Sequence, residues 1–170
     1  MEGIVAAFLL TFGMLMLEAF MPKYTSTSPV SSTLERREFV DLGFTVGYPS
    51  GWQVAETARG VTFRSGERAG SRSTRGFVVV PEEITFSEVE AEAELVDSRR
   101  FTEYVVLASG PQTLAGQRAH RRLVAAEGFR IDQWWIEHGN STVRVEFRSR
   151  GADDDAAAIN ARILDTLDLL

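Results

Sequence analysis

Arginine and carboxylate, rather than histidine or cysteine, are the chemistry-bearing residues of this chain. It has no cysteine and two histidines, His120 and His138. Without thiols there are no disulfides, no thiol catalysis, no thiolate metal site and no lipidated cysteine. The sequence also lacks G-x-S-x-G, G-x-x-x-x-G-K-[ST], G-x-G-x-x-G and H-E-x-x-H, the patterns that hold a nucleophile, cradle a phosphate or bind zinc. His120 sits in a predicted strand opposite in parity to Ala119, Leu123 and Ala125, which places it on the wetter face. His138 falls in a hairpin turn. Each reads as a surface histidine ahead of a base or a metal ligand. No catalytic residue, metal ligand or cofactor site is assigned.

Charge is distributed less blandly. Residues 59–76 carry Arg59, Arg64, Arg68, Arg72 and Arg75 against Glu67 alone, a net +4. Residues 82–97 carry seven carboxylates, Glu82, Glu83, Glu88, Glu90, Glu92, Glu94 and Asp97, and no cation. The basic run, rich in Gly and Ser, reads either as a partner-binding loop through Arg64, Arg68, Arg72 and Arg75, or as a solvated hairpin loop pairing with the acidic helix. Glu88/Glu92 and Glu90/Glu94 are like-charge i, i+4 pairs, which destabilise a helix unless it is exposed or meets a cationic partner. Trp134 and Trp135 are adjacent in a predicted strand and point to opposite faces. If one face is bare, Trp134 is an interface anchor of the kind enriched at binding hot spots; if both are covered, both indoles are core. The net charge of −6 disfavours nucleic acid as a partner.

The elements that position these residues are mostly of period two. Phe44–Tyr48 alternates, Tyr48-Pro49-Ser50-Gly51-Trp52 turns, and Trp52–Ala55, Val61–Arg64 and Gly76–Val80 read as strands, the last stopped by Pro81. A helix follows from Ser87, its N-cap, to Arg100, with Val89, Ala93 and Val96 in a stripe that Leu95 widens. Tyr104–Ala108, Arg118–Ala126, Arg130–Glu137 and Thr142–Arg150 are four further strands, the last two joined by His138-Gly139-Asn140. Asp153, Asp154 and Asp155 open a final helix, Ala156–Leu169, with Ile159, Ile163, Leu164 and Leu167 on its face. Strands, helix, strands and helix in this order predict the α+β class, an antiparallel sheet flanked by helices.

Ahead of this domain, residues 3–21 are apolar but for Glu18. As a helix they span about 28 Å, the thickness of a bilayer's hydrocarbon core. Phe8, Leu9, Phe12, Leu15, Leu17 and Phe20 are its lipid-facing candidates, and Pro22 ends it. A cleaved signal peptide would need a positive leading segment, and Met1-Glu2 supplies none. The expected organisation is therefore a transmembrane anchor (1–21), a Ser/Thr/Pro linker (22–33) and one globular domain (34–170). Lys23, Arg36 and Arg37 after the helix, with no cation before it, would place the domain in the cytoplasm by the positive-inside rule.

Two stretches carry a resemblance. F-x-V-x-Y-P-S-G-W from Phe44 to Trp52, and Leu114-Ala115-Gly116-Gln117-Arg118-Ala119 after Y-V-V-L-A-S-G-P-Q-T, look like the PsbP-like family. That family includes the PsbP extrinsic subunit of photosystem II, DcrB-type bacterial envelope proteins and a Ran-binding release factor. The similarity extends over about Phe39–Leu170. It implies an α/β/α sandwich around an antiparallel sheet and a non-enzymatic role as an accessory or assembly subunit of a membrane complex, a photosynthetic one among the candidates. An envelope ligand-binding protein with a pocket between sheet and helix is the alternative. The resemblance carries no catalytic residue, ion site or cofactor to any position here. It places the domain on the periplasmic or lumenal side, and that side is preferred to the thin charge signal.

Overall fold

The computed structural model describes residues 33–65, 75–150 and 154–170, and the backbone alone for Arg75, Asp154 and Asp155. The predicted anchor (1–21) and all of the predicted linker (22–33) but Thr33, with Arg68 and Arg72, lie outside the described residues. Among the described residues no helix is long and apolar enough to cross a membrane.

Among the described residues ten strands form two sheets, antiparallel at every pairing. The smaller has β2 (Phe44–Pro49) at its centre, between β1 (Leu34–Phe39) and β10 (Asp168–Leu169). Every residue of β2 is buried, as its unbroken apolar and small sequence requires of a strand covered on both faces. The larger sheet has seven strands in the order β3 (Gln53–Thr57), β4 (Gly60–Arg64), β5 (Arg75–Glu82), β9 (Ser141–Arg150), β8 (Phe129–His138), β7 (Gln117–Ala126) and β6 (Tyr104–Leu114). Two helices complete the domain: α1 (Val89–Arg100) and α2 (Asp154–Leu164).

One face of the seven-stranded sheet is apolar. Val61, Phe63, Phe77, Val79, Ile136, Val143, Val145 and Phe147 meet Phe39, Phe44, Val46 and Tyr48 of the small sheet, with Ile163 and Leu164 of α2 and Leu167 just beyond it. Phe63 and Phe77 stack with centroids 4.1 Å apart, and Phe147 packs beside them at 5.4 Å. Trp52 reaches this core at the edge, 6.1 Å from Phe77. The turn that delivers it needs Gly51, whose φ of +82° a side chain disfavours. The opposite face receives α1, with Val89 and Ala93 over Trp135.

The predicted α+β class and antiparallel pairing hold, with five corrections. The single sheet flanked by helices is two sheets, because β1, which carries one buried side chain, and the two-residue β10 both pair with β2. The last helix ends at Leu164, not Leu169. Thr166 turns back to donate to the Ile163 carbonyl and accepts the Gly47 N–H at 2.7 Å, freeing Asp168–Leu169 to pair with β2. Pro81 does not stop β5, which continues to Glu82 opposite Thr142. The capping residue before α1 is Thr85, not Ser87. Thr85 and Glu88 form a capping box around a 3₁₀ turn, Phe86–Glu88, and the α-helix starts at Val89. Within α1 the buried stripe is Val89, Ala93 and Asp97, while Leu95 is exposed.

Candidate functional site

The face under α1 is built in rows that the strand register fixes. Val78, Glu146, Gln133 and Arg122 are neighbours across β5, β9, β8 and β7, and Val80, Arg144, Trp135 and His120 form the next row. Side chains in such rows share one face, so the sheet presents alternating charge to the helix. α1 answers with Glu94, Asp97 and Arg100, spaced so that all three project to one side.

The contacts are specific. Arg122 donates through Nε to Asp97 Oδ2 at 2.8 Å and through its second arm to Glu94. Gln133 Nε2 donates to the other Asp97 oxygen at 3.1 Å. Asp97, Arg122 and Gln133 are all buried. Arg100 holds Glu146 with both arms, at 2.5 and 2.8 Å, and Arg144 reaches Glu146 at 3.0 Å while also pairing with Glu82. Tyr104 closes the row by donating to Glu94 at 2.6 Å. Of the carboxylates that the sequence shows as repelling neighbours, Glu94 thus finds a cationic partner, Arg122, inside the same domain, while Glu88 is engaged by Thr85.

These environments set the protonation states. Burial alone would raise the Glu146 carboxyl, but the Arg100 fork, Arg144 and Gln133 outweigh it and hold it below its ordinary value. Glu94 is lowered by the hydroxyl of Tyr104 and then by Arg122, and the Tyr104 hydroxyl is raised in return. Burial works against the charge of Arg122, yet its bonds to Asp97 and Glu94 prevail and raise it. Glu94, Arg100, Arg122 and Glu146 are thereby held in their charged forms, which suits the layer to structure rather than proton transfer.

His120 needs a correction. It lies on the α1 face beside Trp135, not on a wetter one, because the helix covers that parity of β7. Its pKa is lowered by burial, and Ser109 Oγ lies 3.0 Å from Nε2. His138 ends β8, where its carbonyl accepts from Ser141.

The partner-binding candidates fall in different places. Arg64 is exposed at the end of β4, on the α1 face, one strand from Gly76. Arg75 pairs through its backbone with Ser149. Arg68 and Arg72 belong to the loop outside the described residues. Trp134 lies on the opposite, apolar face, half-buried against the core and capped by Arg121, whose guanidinium is 5.2 Å from the ring and bonded to Asp132 at 2.8 and 2.9 Å. Arg64 and Trp134 therefore do not share a surface.

Sequence reasoning did not find Arg122, Glu146, Arg100, Arg144 or Arg148, nor the burial of Asp97. Two signals were present: Asp97 continues the i, i+4 spacing of Val89 and Ala93, and Arg122 shares the parity of Val124 and Ala126.

Beyond the C-terminal end of α1 no described residue covers the face. An open groove of about 570 Å³ runs there, lined by Thr62, Arg64, Val78, Arg100, Phe129 and Arg148 among others. Among the described residues no group of three or more His, Cys, Asp or Glu side chains is placed to hold a metal ion.

No protein-family model and no curated protein matches the sequence significantly. Solved structures do match. The solution structure of cyanobacterial PsbP (CyanoP) from Synechocystis superposes with a TM-score of 0.56 at 14% identity, covering 88% of this chain and 100% of that one. The chain has the PsbP-like fold. A Bacteroides thetaiotaomicron protein (TM-score 0.48, 17% identity, 75% of this chain and 45% of that one) and a Pseudomonas aeruginosa protein of unknown function (0.47, 12%, 75% and 89%) are also similar. The two helices and paired sheets described above are the PsbP-like arrangement.

Proposed function

We propose that this chain is a non-catalytic, membrane-anchored accessory subunit that binds and stabilises a larger membrane protein complex. The observation that carries the reading is the superposition on CyanoP over that protein's whole length. The resemblance of Tyr48–Trp52 and Leu114–Ala119 implies the same class of role, with a photosynthetic complex among the candidates. The site chemistry agrees. Glu94, Asp97, Arg100, Arg122, Arg144 and Glu146, between α1 and the sheet, are consumed in pairing with each other, and Trp135, Val89 and Ala93 fill the space beside them. That packing disfavours the alternative of a ligand pocket between sheet and helix.

In this reading residues 3–21 hold the chain in the bilayer, with the domain on the periplasmic or lumenal side. The tether raises the domain's effective concentration at its partner. Arg64, Arg68, Arg72 and Arg75 supply the contact, and Trp134 contributes if the partner displaces Arg121. The test is extraction of the full-length chain from native membranes in mild detergent, with mass spectrometry of what co-elutes. A stoichiometric set of integral membrane proteins is the expected result. A lone monomer would overturn the reading.

A further inference from the structure

We propose that the groove beyond the end of α1 takes a carboxylate-rich, extended segment of a protein partner, through Arg64 and Arg148. The inference rests on the accessory-subunit reading and names the chemistry of the partner's contact.

The arginines of the α1 face divide into two kinds. Arg100, Arg122 and Arg144 are each bonded to a carboxylate. Arg64, Arg148 and Arg150 are not: no carboxylate among the described residues lies within ion-pairing distance of any of them, and of the three Arg64 and Arg148 line the groove. Arg148 is held in place all the same. Its guanidinium sits 3.9 Å from the centroid of the Phe129 ring, and its Nε is buried without a hydrogen-bond partner. A buried donor left unmatched costs stability. One that is also clamped on an aromatic ring is pre-organised to receive an acceptor. Glu146, which lines the same groove, is already engaged by Arg100 and Arg144 and makes no ion pair with Arg148.

The register shows what shape of ligand fits. Arg64, Gly76 and Arg148 are consecutive partners across β4, β5 and β9. The two arginines therefore rise from strands about 10 Å apart, and the residue between them has no side chain. Thr62 and Val78, the next row, continue this floor. Carboxylates on alternate residues of an extended chain repeat every ~7 Å, within reach of two long guanidinium side chains. Each arginine fork can accept one carboxylate in a bidentate pair. A single compact anion would use one fork and leave the other empty, which is why a peptide is favoured over a headgroup.

The experiment uses the full-length protein in neutral detergent micelles and a short labelled peptide of alternating Glu and Ser, read by fluorescence anisotropy. The control peptide carries Gln for Glu. Saturable binding of the Glu peptide alone is expected, weakened about tenfold, or about 1.4 kcal/mol, by Arg64→Gln and by Arg148→Gln. Arg130→Gln, an exposed arginine outside the groove, should change nothing. Arg148→Lys should bind weakly, since it keeps the charge and loses the fork. Should Arg148→Gln fail to fold, the exposed Arg64→Gln decides alone. Equal binding of both peptides, or undiminished binding by the Arg64 variant, would overturn the proposal. So would a groove that binds phosphatidylglycerol vesicles through Arg64 while ignoring the peptide. Co-elution separates the two levels. A wild-type chain that retrieves no complex sinks the accessory reading. A complex retrieved equally by wild type and the Arg64→Gln/Arg148→Gln variant sinks the groove alone.

Discussion

The two faces of the seven-stranded sheet are held by different physics. On one, Phe63, Phe77, Phe147 and their aliphatic neighbours meet a second sheet and α2 through apolar contact. On the other, α1 is bonded down by Asp97, Glu94 and Arg100 against Arg122, Gln133 and Glu146. Burial of apolar area is non-directional and graded, so small losses on the first face cost little. A buried ionic layer is worth little while intact and costs much when one member goes, because the remaining charge is stranded. The comparison motivates the proposal that a partner meets the second face: at its margin Arg64 and Arg148 carry directional groups that no carboxylate among the described residues matches.

The sharpest way to break the comparison is to strand a charge. Arg122→Met leaves Asp97 buried against Gln133 alone, and should lower stability by about 3–5 kcal/mol in chemical denaturation. Asp97→Leu and Gln133→Met added to it should recover much of that loss, since an apolar replacement of the whole cluster removes the stranded groups. If the triple variant is worse than the single one, the layer contributes more than pairing.

Acid should attack the same face next. Glu146 is held below its ordinary carboxylate value by Arg100, Arg144 and Gln133. A carboxyl whose folded pKa is depressed contributes stability above its unfolded value, and that contribution is lost as pH falls through the folded one. Denaturation midpoints should therefore hold at neutral pH and fall from about pH 4.5 downward. Glu146→Gln should flatten part of that acid limb while lowering stability at neutral pH. An unchanged limb would contradict the assignment.

Smaller effects mark the other face and the rim. Ile136→Val, deep in the apolar core, should cost about 0.5–1.5 kcal/mol with no change in pH dependence. Arg36→Ala breaks a pair to Asp168 in which both side chains are mostly exposed. It should shift stability by at most about 0.5 kcal/mol in the same denaturation assay.

The sequence disclosed the two faces unequally. Strands β4, β7, β8 and β9 were legible because their alternation matches burial on the apolar side. The Tyr48–Trp52 turn was legible because Gly51 has to adopt a positive φ. β1 was not, since Leu34–Phe39 places only Phe39 in the core, and exposed charge reads as loop. β10 is two residues whose strand character comes wholly from β2. The ionic layer was the least legible part. Asp97 and Arg122 are 25 positions apart, and their pairing depends on the β7–β8 register and on where α1 crosses it. Arg64 could be named from the charge run, whereas Arg148 differs from its paired neighbours only through Phe129, a contact between strands.

The most direct test of the account is retrieval of the complex by a charge-reversed chain, Arg64→Glu with Arg148→Glu, extracted from native membranes beside the wild type in the same mild detergent. The account predicts an unchanged fold by circular dichroism and loss of the co-eluting integral membrane proteins. Recovery of those proteins in wild-type amounts by the reversed chain would contradict it.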